Sequence, residues 1–200
     1  MIKFRPAPDI KIHQVQTLSD DWYVLKKTTY SLQDEQGEWH QQNRETYDRG
    51  NGATILLYNQ QKDTIILTRQ FRYPTYVNGN EDGMMIEACA GLLDQDDPIS
   101  CIRKETEEET GYRITDVEKV AELYMSPGSV TEKLYFFLAH YDENMKTGEG
   151  GGIAEEQENI EVLEIHLPEA WQMVESGEIK DAKTILLMHF LHQKRTGFKS

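Results

Sequence analysis

The pattern of apolar and polar positions changes near residue 49. Before it, β-prone residues come in short runs, Trp22-Tyr23-Val24-Leu25 and Thr28-Thr29-Tyr30-Ser31-Leu32, separated by polar sequence. Aromatic and β-branched residues favour strands, and the polar stretch from Gln33 to Gly37 predicts a hairpin turn. A few short strands bury little surface alone, so residues 1–48 read as an N-terminal β arm that must pack on something else, such as a partner subunit. The turn cluster Asp48-Arg49-Gly50-Asn51-Gly52 ends the arm. Beyond it, Ala53–Tyr58, Thr64–Thr68, Met84–Ala88, Val120–Tyr124 and Leu134–Ala139 are apolar runs of strand length. Residues 160–166 alternate, which turns Ile160, Val162 and Leu163 inward. Residues 77–83 read as loop. Residues 148–152 hold four glycines in five and predict a mobile loop, because glycine loses the most freedom on ordering.

Three segments carry helix punctuation. Residues 98–110 follow Asp97, a good N-cap, begin with Pro98 and end before Gly111. Within them Ile99, Ile102 and Thr106 are spaced to meet a core. Residues 168–175 start on proline and stop before Gly177, and residues 184–194 form a last helix. Strands interleaved with helices predict an α/β fold, a mixed sheet covered on both faces, with residues 49–200 as one domain after the arm. No internal repeat is present.

Composition narrows the function. At 200 residues the chain needs no disulfide or metal staple to fold. Its two cysteines, Cys89 and Cys101, predict reduced thiols and a cytoplasmic setting. The N-terminus lacks a signal-peptide core, and no apolar run could span a bilayer. A net charge of −14 argues against nucleic acid and anionic membranes. That charge is concentrated. Residues 94–109 hold seven acids and two bases, and residues 149–164 hold six acids and no base.

Glu105 and Glu109, four apart on the helix, share a face, and Glu108 adjoins it. Like charges at that spacing destabilise a helix, and acids near its C-terminus oppose its dipole. The pattern fits either a solvated face or a carboxylate platform for a hard divalent cation. The flanking residues favour the platform. Gly91, Asp97 and Lys104-Glu105-Thr106-Glu107-Glu108-Glu109-Thr110-Gly111 resemble the Nudix box, a glycine, a loop and a helix carrying Arg-Glu-x-x-Glu-Glu-x-Gly. Asp97 replaces the usual glutamate, Lys104 the arginine and Thr106 a larger apolar residue, and the loop is one residue short. The resemblance extends through Asp48–Asn59, Arg69-Gln70-Phe71-Arg72, Val77–Asn80, Cys89–Asp94, Cys101–Glu105, Glu122–Gly128, Gly150–Gly152 and Gly177-Glu178-Ile179 to the GDP-mannose pyrophosphatase branch of the Nudix hydrolases. That branch shares the short loop and the lysine and sits close to the ADP-ribose pyrophosphatases.

The resemblance implies a Nudix α/β/α sandwich, hydrolysis of the diphosphate of GDP-mannose to GMP and mannose 1-phosphate, and a homodimer joined through the arm. It implies Mg²⁺, with Mn²⁺ as an alternative, held by Glu105, Glu109 and the Ala90 carbonyl. Glu108 would add a ligand or support. Glu158 would complete the site and help activate water, with Glu155 or Glu156 as alternatives for that role. Substrate contacts would come from Trp22, Arg44, Glu45, Arg72, Gly91, Leu92, Glu132 and Lys183. Blander readings stand beside some of these: a surface ion pair for Arg72, an ordinary helix start for Lys183, arm packing for Trp22. Rival functions are hydrolysis of ADP-ribose or another nucleoside-diphosphate sugar, and a catalytically silent nucleotide sensor. Cys89 and Cys101 read as small buried hydrophobes rather than nucleophiles. His189 and His192 lack a metalloprotease pattern, no P-loop occurs, and Ile99 occupies the place of the turn glycine in an EF-hand.

Overall fold

A computed structural model describes residues 2, 4–153 and 158–197. The chain divides into two compact units, residues 1–50 with 124–132, and residues 51–123 with 133–200. The sequence alone gave no sign that 124–132 belongs with the N-terminal strands.

The N-terminal unit is an antiparallel sheet of β1 (Ile10–Asp20), β2 (Val24–Gln33) and β3 (Trp39–Asp48), in that order. The β2–β3 turn falls where the polar stretch predicts it. Asp34 organises it by accepting the N–H groups of Gln36 and Glu38 at 2.9 and 2.8 Å. Segment 124–132 is tied to the end of β3, with the Tyr47 N–H donating to the Ser129 carbonyl and the Thr131 N–H to the Tyr47 carbonyl. Among the described residues of this unit only Ser31 is buried. Along β1, Ile10, Ile12, Val15 and Leu18 are all exposed.

The second unit is built on a seven-stranded sheet of β4 (Gly52–Asn59), β5 (Thr64–Phe71), β6 (Met84–Glu87), β7 (Ala90–Leu92), β8 (Glu118–Tyr124, whose last residue falls in the first unit), β9 (Lys133–His140) and β10 (Glu161–His166). The main order is β10-β5-β4-β9-β8, with β6 on β5 and β7 on β4. β4 and β9 run parallel, while β4 is antiparallel to β5 and β7, so the sheet is mixed. The helices are α1 (Tyr73–Tyr76), α2 (Pro98–Thr110), α3 (Leu167–Ser176) and α4 (Ala182–Thr196).

Successive residues of β4 point to opposite faces. Ala53, Ile55 and Leu57 join Phe137 and Ala139 of β9 and Cys101 and Ile102 of α2 in one core. α4 packs on β4 and β9 and buries Leu187, Met188 and Leu191. A strand covered on both faces reads as a near-continuous apolar run, as Ile55-Leu56-Leu57 does at the centre of β4, while the buried Thr54 hydroxyl is satisfied by the Cys89 carbonyl.

α2 has the predicted bounds. The Asp97 carboxylate accepts the N–H groups of Ile99 and Ser100, and Gly111 closes the helix at φ 77°. Two expectations need correction. Ile99 is 40% exposed, and Cys101 takes the core position beside Ile102 and Thr106. Around β10, Ile160 is buried and Val162 packs on the core as expected, but Ile165, which was not singled out, is the buried residue of the strand, while Leu163 is only half-buried. The short helix α1 immediately precedes residues 77–83, the stretch that read as loop.

Candidate active site

The last turn of a helix leaves carbonyls without intrahelical partners. In α2 the glycine-rich segment 148–152 supplies them. The Gly151 N–H donates to the Glu109 carbonyl at 2.9 Å, and the Gly152 N–H to the Glu108 carbonyl at 3.2 Å. Expected as a mobile loop, this segment is thus hydrogen-bonded to the carboxylate helix. Its glycines allow the approach, because a Cβ on Gly150 would lie 2.4 Å from the Glu109 carbonyl oxygen. An ion pair adds a second tie. Arg113 grips Glu107 through Nε and Nη2, and the Thr147 hydroxyl donates to the same carboxylate at 3.2 Å.

This docking brings Glu158 to α2. Glu158 is half-buried, and its Oε2 accepts the Ile153 N–H at 3.1 Å. Its charge, like that of Glu105, raises the pKa of Glu109. Residues 155 and 156, the alternatives for its role, lie outside the described residues.

Glu109 is the unusual group. It is 3% exposed, and its Oε2 has no hydrogen-bond partner. Burial, then the neighbouring charges of Glu105 and Glu158, push its carboxyl up to about 8, against the opposing pull of the Cys89 thiol and the Arg72 charge. A buried carboxylate without a counter-charge is costly, and such groups are ordinarily paired or bound to a metal. Glu105 stands one turn earlier, pressed against β7. A Cβ on Gly91 would fall 2.2 Å from the Glu105 carboxyl carbon, so only glycine leaves that carboxylate in place. Ala90, Gly91 and Leu92 pair with Thr54, Ala53 and Gly52 of β4. The donor set, carboxylates beside a strand carbonyl, suits Mg²⁺ or Mn²⁺. Glu105, Glu109 and Glu158 share a neighbourhood without converging. Among the described residues no three His, Cys, Asp or Glu side chains are grouped closely enough to hold a metal ion. Glu108 is half-buried, 3.8 Å from Lys104.

Arg72 and Lys183, singled out from sequence as substrate contacts, meet on a residue that was not. Arg72 Nε lies 2.7 Å and Lys183 Nζ 2.8 Å from opposite oxygens of Glu87, which is 5% exposed. Asp181 also pairs with Lys183, at 3.0 Å. Burial opposes the Glu87 charge, but Lys183 and Arg72 outweigh it and hold its pKa below the usual value. Sequence offered one hint, an acid ending the apolar run Met84-Met85-Ile86 with no base nearby in the chain.

The other candidates lie in the N-terminal unit. Trp22 is 84% exposed between β1 and β2, its ring edge-on to that of Tyr23. Arg44 and Glu45 sit on β3, exposed, with Glu45 opposite Lys27 of β2. Glu132 is largely covered and pairs with Arg49 at 3.3 Å. Both cysteines are free and buried. Burial and the adjacent Glu109 push the Cys89 thiol up, and burial takes Cys101 to about 12, so neither is a nucleophile at neutral pH.

Residues 48–186 match the NUDIX domain family, and residues 9–47 match the GDP-mannose pyrophosphatase NudK N-terminal domain. A GDP-mannose pyrophosphatase from Pectobacterium atrosepticum is 56% identical over 90% of this chain and 92% of its own. One from Citrobacter koseri is 54% identical over 88% and 92%, and one from Escherichia coli K12 is 55% identical over 87% and 90%. A solved ADP compounds hydrolase shares the fold, with a TM-score of 0.71 over 98% of both chains at 18% identity. The chain belongs to the Nudix hydrolases, in their GDP-mannose pyrophosphatase branch.

Proposed function

We propose that this protein hydrolyses the diphosphate of GDP-mannose, giving GMP and mannose 1-phosphate, at the carboxylate face of α2. The observation that carries the reading is the orphaned, buried Oε2 of Glu109 beside Glu105, in a helix where stability alone would favour bases. The substrate follows from the names of relatives that match nearly the whole chain. Glu105 and Glu109, with the Ala90 carbonyl and Glu158, would hold Mg²⁺ or Mn²⁺. Held there, the cation would supply Lewis-acid chemistry, polarising the phosphate and lowering the pKa of water. Glu158 would take the proton from the attacking water, and Glu108 would support the ligands. Arg72 keeps two guanidinium nitrogens beyond the one given to Glu87 and would offer them to phosphate. Gly91 and Leu92 would line the sugar-phosphate path, with Lys183 as a further cation and Glu132, Trp22, Arg44 and Glu45 as contacts to the rest of the nucleotide sugar.

Residues 1–48 would serve as a dimerisation arm on the domain 49–200. Support comes from the exposed apolar positions of β1 and from a three-stranded sheet that buries almost nothing itself. Two buried free thiols suit a cytoplasmic setting, and no helix among the described residues is long and apolar enough to cross a membrane. Light scattering should give about twice the 23.2 kDa chain mass, and a monomer would contradict the arm's role. The function is tested by a Mg²⁺-dependent substrate panel. GDP-mannose should show a higher kcat/KM than ADP-ribose, with GMP and mannose 1-phosphate as products. The reverse preference would overturn the substrate assignment.

A further inference from the structure

Resting on that reading of the site, we infer that Glu87 is a positioning residue, its two carboxylate oxygens holding Arg72 and Lys183 apart and aimed at the diphosphate. The geometry divides the labour. Oε2 takes Arg72 Nε, the inner edge of the guanidinium, which leaves both terminal nitrogens for a ligand. Oε1 takes Lys183 Nζ, whose second donor goes to Asp181 Oδ1, leaving one. The side chain of Arg72 is 40% exposed, whereas those of Lys183 and Glu87 are 12% and 7%. The carboxylate is therefore the buried base of the cluster, and the guanidinium is its open face. Arg72 is also near enough to Glu109 for its charge to be felt there, so the cluster borders the carboxylate helix.

The base is itself fixed. The next residue, Ala88, donates its N–H to the Thr184 hydroxyl at 2.7 Å, and that hydroxyl donates to Asp181 Oδ2 at 2.6 Å. Asp181 caps α4 through the Thr184 N–H at 2.9 Å. The end of β6 and the start of α4 thus form one unit, three residues ahead of Ala90. Two acids balance two bases, so Arg72 and Lys183 stay ordered without a bound anion. A long, flexible cation held in place before binding loses less freedom when the ligand arrives. Sequence separates the partners by 15 and 96 residues, which hid the cluster.

The test is steady-state hydrolysis of GDP-mannose with saturating Mg²⁺ by the full-length protein. If the wild type turns over neither GDP-mannose nor ADP-ribose, the functional reading itself fails. Given an active wild type, Glu87→Gln should raise KM about 10-fold or more and change kcat less than threefold, the signature of lost ligand positioning. In an Arg72→Ala, Lys183→Ala background the same change should alter KM less than twofold, because the carboxylate acts only through those two cations. Glu87→Asp keeps the charge and withdraws it by about 1.5 Å, one bond length. It covers the case in which the glutamine variant does not fold, and it should raise KM several-fold. An unchanged KM in Glu87→Asp, or equal effects of Glu87→Gln with and without its two partners, would overturn the inference.

Discussion

Two buried glutamates in the same unit have opposite surroundings. Glu87 is 5% exposed and Glu109 3%, so both are largely cut off from water. Glu87 meets two cations, and its carboxyl is held below the ordinary range. Glu109 has an oxygen with no partner, neighbours of its own sign, and a carboxyl pushed up to about 8. The first is satisfied by the chain's own side chains. The second has an oxygen that no side chain satisfies, which is the ground for proposing a divalent cation beside it. Burial alone therefore does not mark a reactive acid. What separates the two is whether the fold supplies the counter-charge.

Removing each charge should sharpen the contrast. Losing a residue that merely supports a metal ligand costs about 10–100-fold. Glu109→Gln should cost more than that in kcat/KM while leaving the metal-free melting temperature unchanged or raised. Glu87→Gln should do the reverse in stability, since removing one partner from a buried ion pair costs about 3–5 kcal/mol. Thermal melts in chelator, read beside kinetics, check both. Equal melting losses in the two variants would erase the distinction.

A smaller effect is expected from Gly91→Ala. The new methyl would displace the Glu105 carboxylate, the far end of a flexible side chain, rather than backbone. Activity should fall about 10–100-fold, in the range for a disturbed ligand, with little loss of secondary structure by circular dichroism. Gly150→Ala would instead strike the Glu109 carbonyl and force a side chain into φ 71°, so it should lower the melting temperature and the activity together.

A pH dependence follows from the Glu109 carboxyl. Glu109 is raised, so below pH 4.5 both folded and unfolded states are protonated and it contributes nothing. Between 4.5 and about 8 the unfolded chain ionises first, and folding is opposed by up to about 1.4 kcal/mol per pH unit. Metal-free wild type should lose stability from pH 6 to 8 relative to Glu109→Gln, and Mg²⁺ should abolish the difference. Parallel pH profiles in chelator would contradict this.

Local chemistry made α2 and the acidic face legible in the sequence. Asp97, Pro98 and Gly111 fix the helix bounds through contacts within a few residues, and Glu105 and Glu109 share a face by helix geometry. β4 was readable because a strand covered on both sides reads as a near-continuous apolar run. Features that depend on distant partners were not. Arg72 and Lys183 stood out, but their common anchor Glu87 is revealed only when β6 meets α4. Periodicity puts Ile99 on the core face without saying how far the cover extends, and the residue is 40% exposed. The glycine run read as mobile because sequence shows its freedom but not the α2 carbonyls it must approach. β1 carries too few apolar residues to be read as a strand, and β3 is implied only by the hairpin turn before it.

The central claim is that Glu109 waits on a divalent cation, and proton release on binding tests it most directly. A ligand must be deprotonated to bind metal, so an acid with a pKa of about 8 gives up its proton at pH 7. Calorimetric titration of the wild type with Mg²⁺ at pH 7, in buffers of different ionisation enthalpy, should report release of close to one proton. Glu109→Gln should bind more weakly and release none. Binding without proton release in the wild type, or the same affinity and release in Glu109→Gln, would contradict the account.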